Sequence, residues 1–184
     1  AFLISAACTV LYEQVQENAN VAIYARMAYM DTMTGLGNRT AFLEENKSNA
    51  TFPGMISYIM MDANNLKKIN DTLGHNKGDE LIVTIAKCMR TAVGDSGQCY
   101  RIGGDEFVCF AFIDDPDFPK TVQARIQELS NELNETCGKP YYIEMSVGVS
   151  EFSCDPNIKI EDLLSQADSA LYSNKRYKRM SVLK

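Results

Sequence analysis

The sequence predicts a domain of the α/β (α+β) class, with helices packed on a mainly antiparallel central sheet. Short apolar runs typical of strands alternate with segments whose apolar residues recur every three to four positions, the spacing of an amphipathic helix. Two of the strand-like runs are separated only by Gly103-Gly104-Asp105-Glu106, which predicts a hairpin. The length of 184 residues suits one compact domain with a short extension.

The composition is that of an ordinary globular protein, with 46% apolar residues, 23% charged residues and 11 glycines. The net charge of −6 argues against a nucleic-acid partner, because non-specific binding depends on Lys and Arg neutralising phosphates. Six cysteines without a C-x-x-C pair favour free thiols in a reducing cytosol. The single histidine, His75, gives little support to a His-rich metal site or a catalytic triad.

The amino-terminal segment predicts one helix that leads into the domain, since residues 3–29 contain neither Gly nor Pro. We place the boundary near Met30, with a linker or signalling helix over 1–30 and the domain over 31–184. The opening run, Ala1 to Tyr12, is apolar except for Ser5 and Thr9 but shorter than the about 20 residues that span a bilayer. Two interpretations stay open. It is either the end of a membrane helix, which would make this the cytoplasmic domain of an inner-membrane sensor, or the start of a packing or dimer helix.

The remaining elements follow in chain order. The turn-rich segment 31–38 precedes a short helix, and the apolar run 55–61 predicts a buried strand that ends on Asp62. The further predicted elements are helices over 39–45, 77–91, 122–133 and from 160 toward 179, and strands over 99–102, 107–113 and 143–149.

Acidic side chains are expected to meet where two of the predicted strands meet. Asp62 closes a buried strand, and Asp105 and Glu106 lie at the hairpin turn. If these strands are neighbours in one sheet, the carboxylates come together. Carboxylate oxygens are hard ligands, which suit Mg²⁺ rather than zinc or copper.

Glycines and a basic pair supply groups that suit phosphate. Gly103 and Gly104 leave backbone N–H groups open to close approach, and Lys175 and Arg179 share one helix face at an i, i+4 spacing. Each feature alone is weak, because an acidic turn is usually a solvated loop and a basic helix end usually answers the helix dipole. Together with the acidic groups they indicate nucleotide chemistry.

Four ordered segments resemble the GGDEF family of diguanylate cyclases. The string Tyr100-Arg-Ile-Gly-Gly-Asp-Glu-Phe107 is similar to the family signature. The other three segments are Asp31-x-x-Thr-Gly-Leu-x-Asn-Arg39, Asp62-x-Asn-x-Leu-Lys-x-Ile-Asn-Asp71 followed by Gly74-His75-x-x-Gly78-Asp79, and Ala167-Asp-x-Ala-Leu-Tyr172-x-x-Lys175. The resemblance covers most of the chain.

The resemblance implies a fold and a reaction. The fold is that of nucleotidyl cyclases, a palm-like and ferredoxin-like domain. The implied reaction condenses two GTP into cyclic di-GMP and two pyrophosphates, with two Mg²⁺ or Mn²⁺ ions per active site. A homodimer is implied because each domain binds one GTP and supplies half of the reaction. The alternative is a catalytically silent regulatory module that binds GTP or cyclic di-GMP.

The resemblance also implies residue roles. Asp62, Asp105 and Glu106 would be catalytic and would hold the metals, assisted by the backbone carbonyl near Ala63. The residues implied to bind the substrate are Asn70 and Asp79 at the guanine, Lys67, Lys175 and Arg179 at the phosphates, and Leu66, Gly103 and Gly104 beside the nucleotide. For His75 we expect a structural hydrogen-bonding role.

The sequence departs from the family pattern at two places. Asn64 and Leu66 stand where the family has a second aspartate and a phenylalanine, and Asn64 keeps an oxygen but loses a charge. We expect a modest effect on metal binding. Gly94 and Gly97 stand where many members carry the Arg and Asp of an inhibitory product site. Neither glycine has a side chain to bind guanine, so we expect the usual high-affinity product inhibition to be absent.

Overall fold

The computed structural model describes residues 2–48, 56–150 and 159–181. The described helices are α1 (Phe2–Tyr29), α2 (Arg39–Ser48), α3 (Leu66–Leu73), α4 (His75–Val93), α5 (Phe118–Thr136) and α6 (Ile160–Ser181), with a short 3-10 helix at Gly94–Ser96. The described strands are β1 (Gly37–Asn38), β2 (Ile56–Ala63), β3 (Gln98–Arg101), β4 (Glu106–Phe112) and β5 (Met145–Val149).

The strands form one five-stranded sheet in the order β1-β3-β4-β2-β5. β2 lies between β4 and β5 and is antiparallel to both, and β3 and β4 form the antiparallel hairpin. Of the described strands, only the two-residue β1 runs parallel to its neighbour, β3. The predicted mixed α/β fold with a mainly antiparallel sheet and a central hairpin is confirmed.

Helices cover both faces of the sheet because residues of the strands alternate between two apolar clusters. Along β2, Ile59 and Met61 face the cluster formed with α4 and α5, whereas Tyr58 faces the other cluster. The second cluster contains Phe42 of α2 and Leu163 of α6. β2 is therefore buried on both faces, as its nearly continuous apolar sequence predicts.

Three element boundaries differ from the sequence-based prediction. β2 continues through Ala63, so Asp62 lies inside the strand and is held in its ladder. α4 begins at His75 rather than 77, and Gly74, with φ of 85°, separates it from α3, a helix that the sequence analysis did not predict. β5 begins at Met145 rather than 143, since the Asn134 side chain takes both backbone hydrogen bonds of Ile143, at 2.8 and 2.9 Å.

The amino-terminal helix is continuous from Phe2 to Tyr29, as predicted. Its large apolar side chains between Leu11 and Tyr29 are exposed, with Leu11 at 65% and Tyr24 at 69% of full accessibility. Over the described ranges, none of the helices combines the length and the apolar character that crossing a membrane requires.

α6 lies directly on β5 because Gly148 has no side chain. A Cβ atom at Gly148 would overlap the carbonyl oxygen of Ala167 and the amide nitrogen of Leu171, both in the backbone of α6. Lys175 follows Leu171 by one helical turn. The close packing at Gly148 therefore fixes how far α6 lies from the end of the sheet that carries Asp62.

We predict that Gly148→Ala lowers the free energy of unfolding by about 1–3 kcal/mol, the usual cost of overpacking a core contact. The added carbon can be admitted only if backbone atoms move, and moving backbone costs more free energy than moving the end of a flexible side chain. Urea unfolding monitored by circular dichroism measures the loss. Gly104→Ala is the matched control, since a Cβ there meets no atom within 4 Å. Equal stabilities of the two variants would contradict the packing argument.

Candidate active site

The ladder between β2 and β4 brings the predicted acidic residues together. Asp62 is paired in register with Glu106, and Asp105 precedes Glu106 at the end of the hairpin. The Ala63 amide donates a hydrogen bond to the Asp105 carbonyl oxygen at 2.9 Å, which ties the turn to the end of β2. Residues paired across an antiparallel ladder have Cβ atoms about 4.5–5.5 Å apart. Three carboxyl groups therefore occur at one end of the sheet.

Lys175 balances part of this negative charge. Its Nζ lies 2.6 Å from Oδ2 of Asp62, and the Asp62 side chain is only 9% accessible. A carboxylate this buried requires a charged or hydrogen-bonding partner, since an unpaired buried charge is strongly destabilising. The lysine that we assigned to a phosphate thus contacts a predicted metal ligand.

The oxygen donors suit a hard cation by their chemistry. Within the described part of the chain, however, no three His, Cys, Asp or Glu groups are gathered into a ready cluster for a metal ion. The positive charge beside Asp62 is that of Lys175. A metal bound by Asp62 would therefore have to compete with this lysine for Oδ2.

A groove of about 1350 Å³ lies over the acidic end of the sheet. It contains six of the predicted site residues and further polar groups from α3 and from the segment before β5. The predicted residues that line it are Asp62, Ala63, Leu66, Lys67, Asp105 and Lys175, and the unpredicted ones include Asn64, Asn65, Tyr141, Tyr142, Glu144 and Ser146.

The turn from β2 into α3 forms one side of the groove. Asn65 has a φ of 63° and lies in the left-handed region, which redirects the chain into the helix. No side chain caps α3 at this position. The first N–H groups of an α-helix have no partner within the helix, and such groups form a natural site for anions. Leu66 and Lys67 open this first turn and line the groove.

Asn64, the departure from the family pattern, has a structural contact. Its Oδ1 accepts a hydrogen bond from the Ser146 hydroxyl at 3.0 Å, and its backbone amide donates to the Glu144 carbonyl oxygen at 3.0 Å. The side chain thus ties the turn after β2 to β5. An amide performs this role without adding a fourth carboxylate to the site.

The segment before β5 forms the opposite wall and is anchored to α4. Lys139 pairs with Glu80 of α4, and its Nζ lies 5.7 Å from the centre of the Tyr141 ring. Hydrogen bonds from Lys139 and Lys77 lower the pKa of Glu80 to about 2. Tyr142 projects from the same segment and is 74% exposed. This side of the groove therefore carries an exposed aromatic ring on a segment that the Lys139–Glu80 pair holds against α4.

The predicted guanine-binding residues lie outside the lining of this groove, at the junction of α3 and α4. Oδ1 of Asn70 is buried and has no hydrogen-bond partner among the residues that the structure describes. It packs against Gly78, where any Cβ atom would overlap it. Asp79 and His75 are exposed on α4. The structure thus brings Asn70 next to the residue that precedes Asp79, and neither Asn70 nor Asp79 is among the residues that line the groove.

Arg101 holds the glycine turn in place, a role that the sequence analysis missed. Its Nη2 and Nε donate hydrogen bonds to the Gly104 carbonyl oxygen at 2.7 and 3.3 Å, and its Nη1 lies 3.3 Å from both carboxylate oxygens of Asp31. The Gly103 amide donates to the Glu106 carbonyl oxygen at 3.3 Å. Asp31 and Arg101 both lie in motifs that resemble the family, and this is the sequence signal that could have pointed to their role.

Asp31 is held ionised by its surroundings. Partial burial raises its pKa, but hydrogen bonds from the Thr34 hydroxyl and amide and the nearby Arg101 guanidinium bring the net pKa below the ordinary value. The Thr34 amide and hydroxyl lie 2.8 and 2.7 Å from Oδ1 of Asp31. The carboxylate therefore connects the turn after α1 to the hairpin.

The glycine turn and Arg179 are the remaining predicted site residues. Gly103 and Gly104 form the turn between β3 and β4, with Gly103 beneath Glu106 and Gly104 exposed. Arg179 belongs to α6, but its side chain lies outside the described residues.

The fold and the acidic hairpin define an α/β domain of the GGDEF type. The sequence model of the family described as diguanylate cyclase, GGDEF domain, matches residues 28–181. The chain therefore belongs to this family.

Individual relatives agree with the family match. The diguanylate cyclase DgcP of Escherichia coli is 31% identical over 175 residues, which are 92% of this chain and 50% of DgcP. The cyclic di-GMP phosphodiesterase NbdA of Pseudomonas aeruginosa is 32% identical over 154 residues, 82% of this chain and 20% of NbdA. The chain thus spans at most half the length of these two relatives.

The fold is also similar to a solved structure, the coiled coil and GGDEF domain of DgcB from Caulobacter crescentus in complex with c-di-GMP. The TM-score is 0.78 at 22% identity, with 96% of this chain and 95% of that chain covered. At this identity the likeness shows the fold alone.

We predict that Asp31→Asn destabilises the protein at neutral pH and that the loss disappears in acid. Because the pKa of Asp31 is lowered from 3.8 in the folded state, its stabilising contribution is present above that value and is lost as the pH falls through the folded-state pKa. Urea unfolding at about pH 7 and below pH 4 measures it. Asp95→Asn, at an exposed acid, is the control. A difference in unfolding free energy between Asp31→Asn and the unaltered protein that persists unchanged in acid would contradict this role.

Proposed function

We propose that this domain is a diguanylate cyclase, which condenses two GTP molecules into cyclic di-GMP and releases two pyrophosphates. The observation that carries the proposal is the register that sets Asp62 opposite Glu106, next to Asp105, with Asp62 and Asp105 lining a groove of about 1350 Å³. A groove of this size holds a nucleoside triphosphate. The family match and the relative DgcP support the same reaction.

The triphosphate would lie along the turn from β2 into α3. The free N–H groups at the start of α3 and the Lys67 side chain offer donors and positive charge to phosphate oxygens. Gly104 is exposed, so a phosphate can approach the hairpin turn closely. Arg179 is assigned to the outer phosphates by the family pattern alone.

Guanine would be read at the junction of α3 and α4. Within the described ranges the buried Oδ1 of Asn70 lacks a partner, and an unpaired acceptor of this kind favours a ligand that brings a donor. Guanine carries N1–H and an exocyclic amine on one edge, which the carboxylate of Asp79 complements. Adenine has an acceptor at N1 and mismatches it. Leu66 begins the helix that carries Asn70.

Asp62, Asp105 and Glu106, with the carbonyl oxygen of Ala63, would hold two Mg²⁺ or Mn²⁺ ions per active site. When bound, the ions would lower the pKa of the attacking hydroxyl and offset the charge of the leaving pyrophosphate. Lys175 would then leave Asp62 for a phosphate oxygen, a movement that its flexible stem allows. The lysine thereby keeps Asp62 neutralised before substrate arrives and neutralises phosphate afterwards.

Two domains would complete one reaction. The 3′-oxygen of each GTP attacks the α-phosphorus of the other, the bond to pyrophosphate breaks, and the second such step closes the ring. One groove holds one nucleotide, so two grooves must face each other. The exposed apolar residues Leu11, Val15 and Val21 of α1, each over 60% accessible, support a partner helix and hence a homodimer.

A second candidate is a catalytically silent module that binds GTP or cyclic di-GMP. The Lys175–Asp62 pair favours it, because a site neutralised by lysine is stable without metal. The relative NbdA, named a phosphodiesterase, is compatible with a regulatory domain of this kind. The relatives are longer than this chain. We therefore also propose that segments outside this chain, such as a membrane-attached sensor, control the domain.

The test is incubation of the protein with GTP and Mg²⁺, with the product identified by mass spectrometry. We predict cyclic di-GMP and pyrophosphate in a ratio of one to two, and a loss of rate of about a hundredfold or more for Asp105→Asn, the usual effect of removing one charge-stabilising group. Asp95→Asn, an acid on the exposed 3-10 helix, is the control and should retain full activity. GTP binding without any product would instead establish the silent module.

A further inference from the structure

Two cysteines face each other across the base of the hairpin. Cys99 of β3 and Cys109 of β4 are paired in register. The Ile102 amide donates to the Glu106 carbonyl oxygen at 3.0 Å, which sets the hydrogen-bonding phase of this ladder. Hydrogen-bonded and non-hydrogen-bonded pairs alternate along an antiparallel ladder, and Ile102–Glu106 is a hydrogen-bonded pair. The Cys99–Cys109 pair, three positions along, is therefore non-hydrogen-bonded, with Cα atoms about 4.5 Å apart and side chains close. That separation lies within the about 4.4–6.8 Å range of disulfides.

The two thiols interact electrostatically and differ in character. A hydrogen bond from Cys109, together with the charge of Arg90, lowers the pKa of the Cys99 thiol against the effect of burial. The same bond and complete burial raise the pKa of Cys109. Cys99 is partly exposed, whereas Cys109 is not. The accessible thiol is thus the one with more thiolate character, and the thiolate is the reactive form.

We propose that Cys99 and Cys109 are an oxidative modification site, at which a peroxide converts the two thiols into a cross-strand disulfide. The Cys99 thiolate attacks one oxygen of hydrogen peroxide, the O–O bond breaks, and a sulfenic acid and hydroxide form. The Cys109 sulfur then attacks the sulfenic sulfur, and hydroxide leaves with the Cys109 proton as water. Two thiols are oxidised and one peroxide is reduced to two waters.

The position gives the modification a physical consequence. The bond would close a loop that contains Arg101, both turn glycines and Asp105, and would join strands that already pair. Opening of the hairpin would then require a covalent bond to stretch or break. In a reducing compartment such a bond is transient and suits a redox sensor rather than a structural staple. This inference is independent of the proposed cyclase reaction.

Another cysteine of the same core serves as an internal comparison. Burial raises the pKa of Cys88 to about 11, so its thiolate is scarce at neutral pH. Cys137 is partly exposed at the end of α5. We expect Cys99 to be oxidised before Cys88, and the disulfide to form whether or not Cys137 is present.

The test is titration of the purified protein with hydrogen peroxide, followed by alkylation, intact mass measurement and non-reducing peptide mapping. We predict the loss of two hydrogen atoms, a crosslinked peptide pair that contains residues 99 and 109, and reversal by dithiothreitol. Slower hydrogen exchange of the amides between the two cysteines should accompany the bond. In Cys137→Ser, the control, the same crosslink should form.

Single replacements separate the two steps. In Cys109→Ala, Cys99 should be trapped by dimedone as the sulfenic acid, and Cys99→Ser should show neither the acid at 99 nor the crosslink. If Cys109→Ala does not fold, Cys99→Ser and the wild-type map still decide the matter. A crosslink between other cysteines, or free thiols at both 99 and 109 after the other thiols have been oxidised, would overturn the proposal.

Discussion

The antiparallel ladder between β2 and β4 governs the site, because its register sets Asp62 opposite Glu106. A slip of one residue would turn the Asp62 side chain to the opposite face of the sheet, into the apolar cluster under α4 and α5. The apolar residues on both faces of β2 prevent this slip, since each face fits a different set of helices. The same packing that stabilises the core therefore specifies the chemistry at its edge.

The negative charge at that edge is stabilised by a nearby cation, and α6 provides it as Lys175. Gly148 allows α6 to lie against β5, and Lys175 reaches Asp62 one turn beyond the contact. Arg101 performs a comparable task at the hairpin, where it joins Asp31 to the Gly104 carbonyl. Each of these basic residues contacts a part of the structure where the proposed function places a ligand. Under the proposed function, the binding of metal and nucleotide would be coupled to the exchange of ionic contacts that already stabilise the fold.

Local patterns predicted most of this fold, and long-range contacts account for what they missed. The apolar periodicity predicted the major strands and helices, and the glycines between β3 and β4 predicted the hairpin. The later start of β5 depends on Asn134, which is nine residues away in sequence and gives no local signal. The motifs identified the acidic residues, but the contact of Lys175 with Asp62 joins residues more than a hundred positions apart. Spacing along one helix could place Lys175 on a face but could not identify its partner.

The most direct measurement of the central claim is a crystal structure with Mn²⁺ and a non-hydrolysable GTP analogue, with the metal located by anomalous scattering. We expect metal at the carboxylates of Asp62 and Asp105, and Lys175 moved from Asp62 to a phosphate oxygen. The analogue should lie in the groove over β2 with its guanine at Asn70 and Asp79. A structure with the nucleotide bound, Lys175 still on Asp62 and no metal at the acidic edge would contradict it.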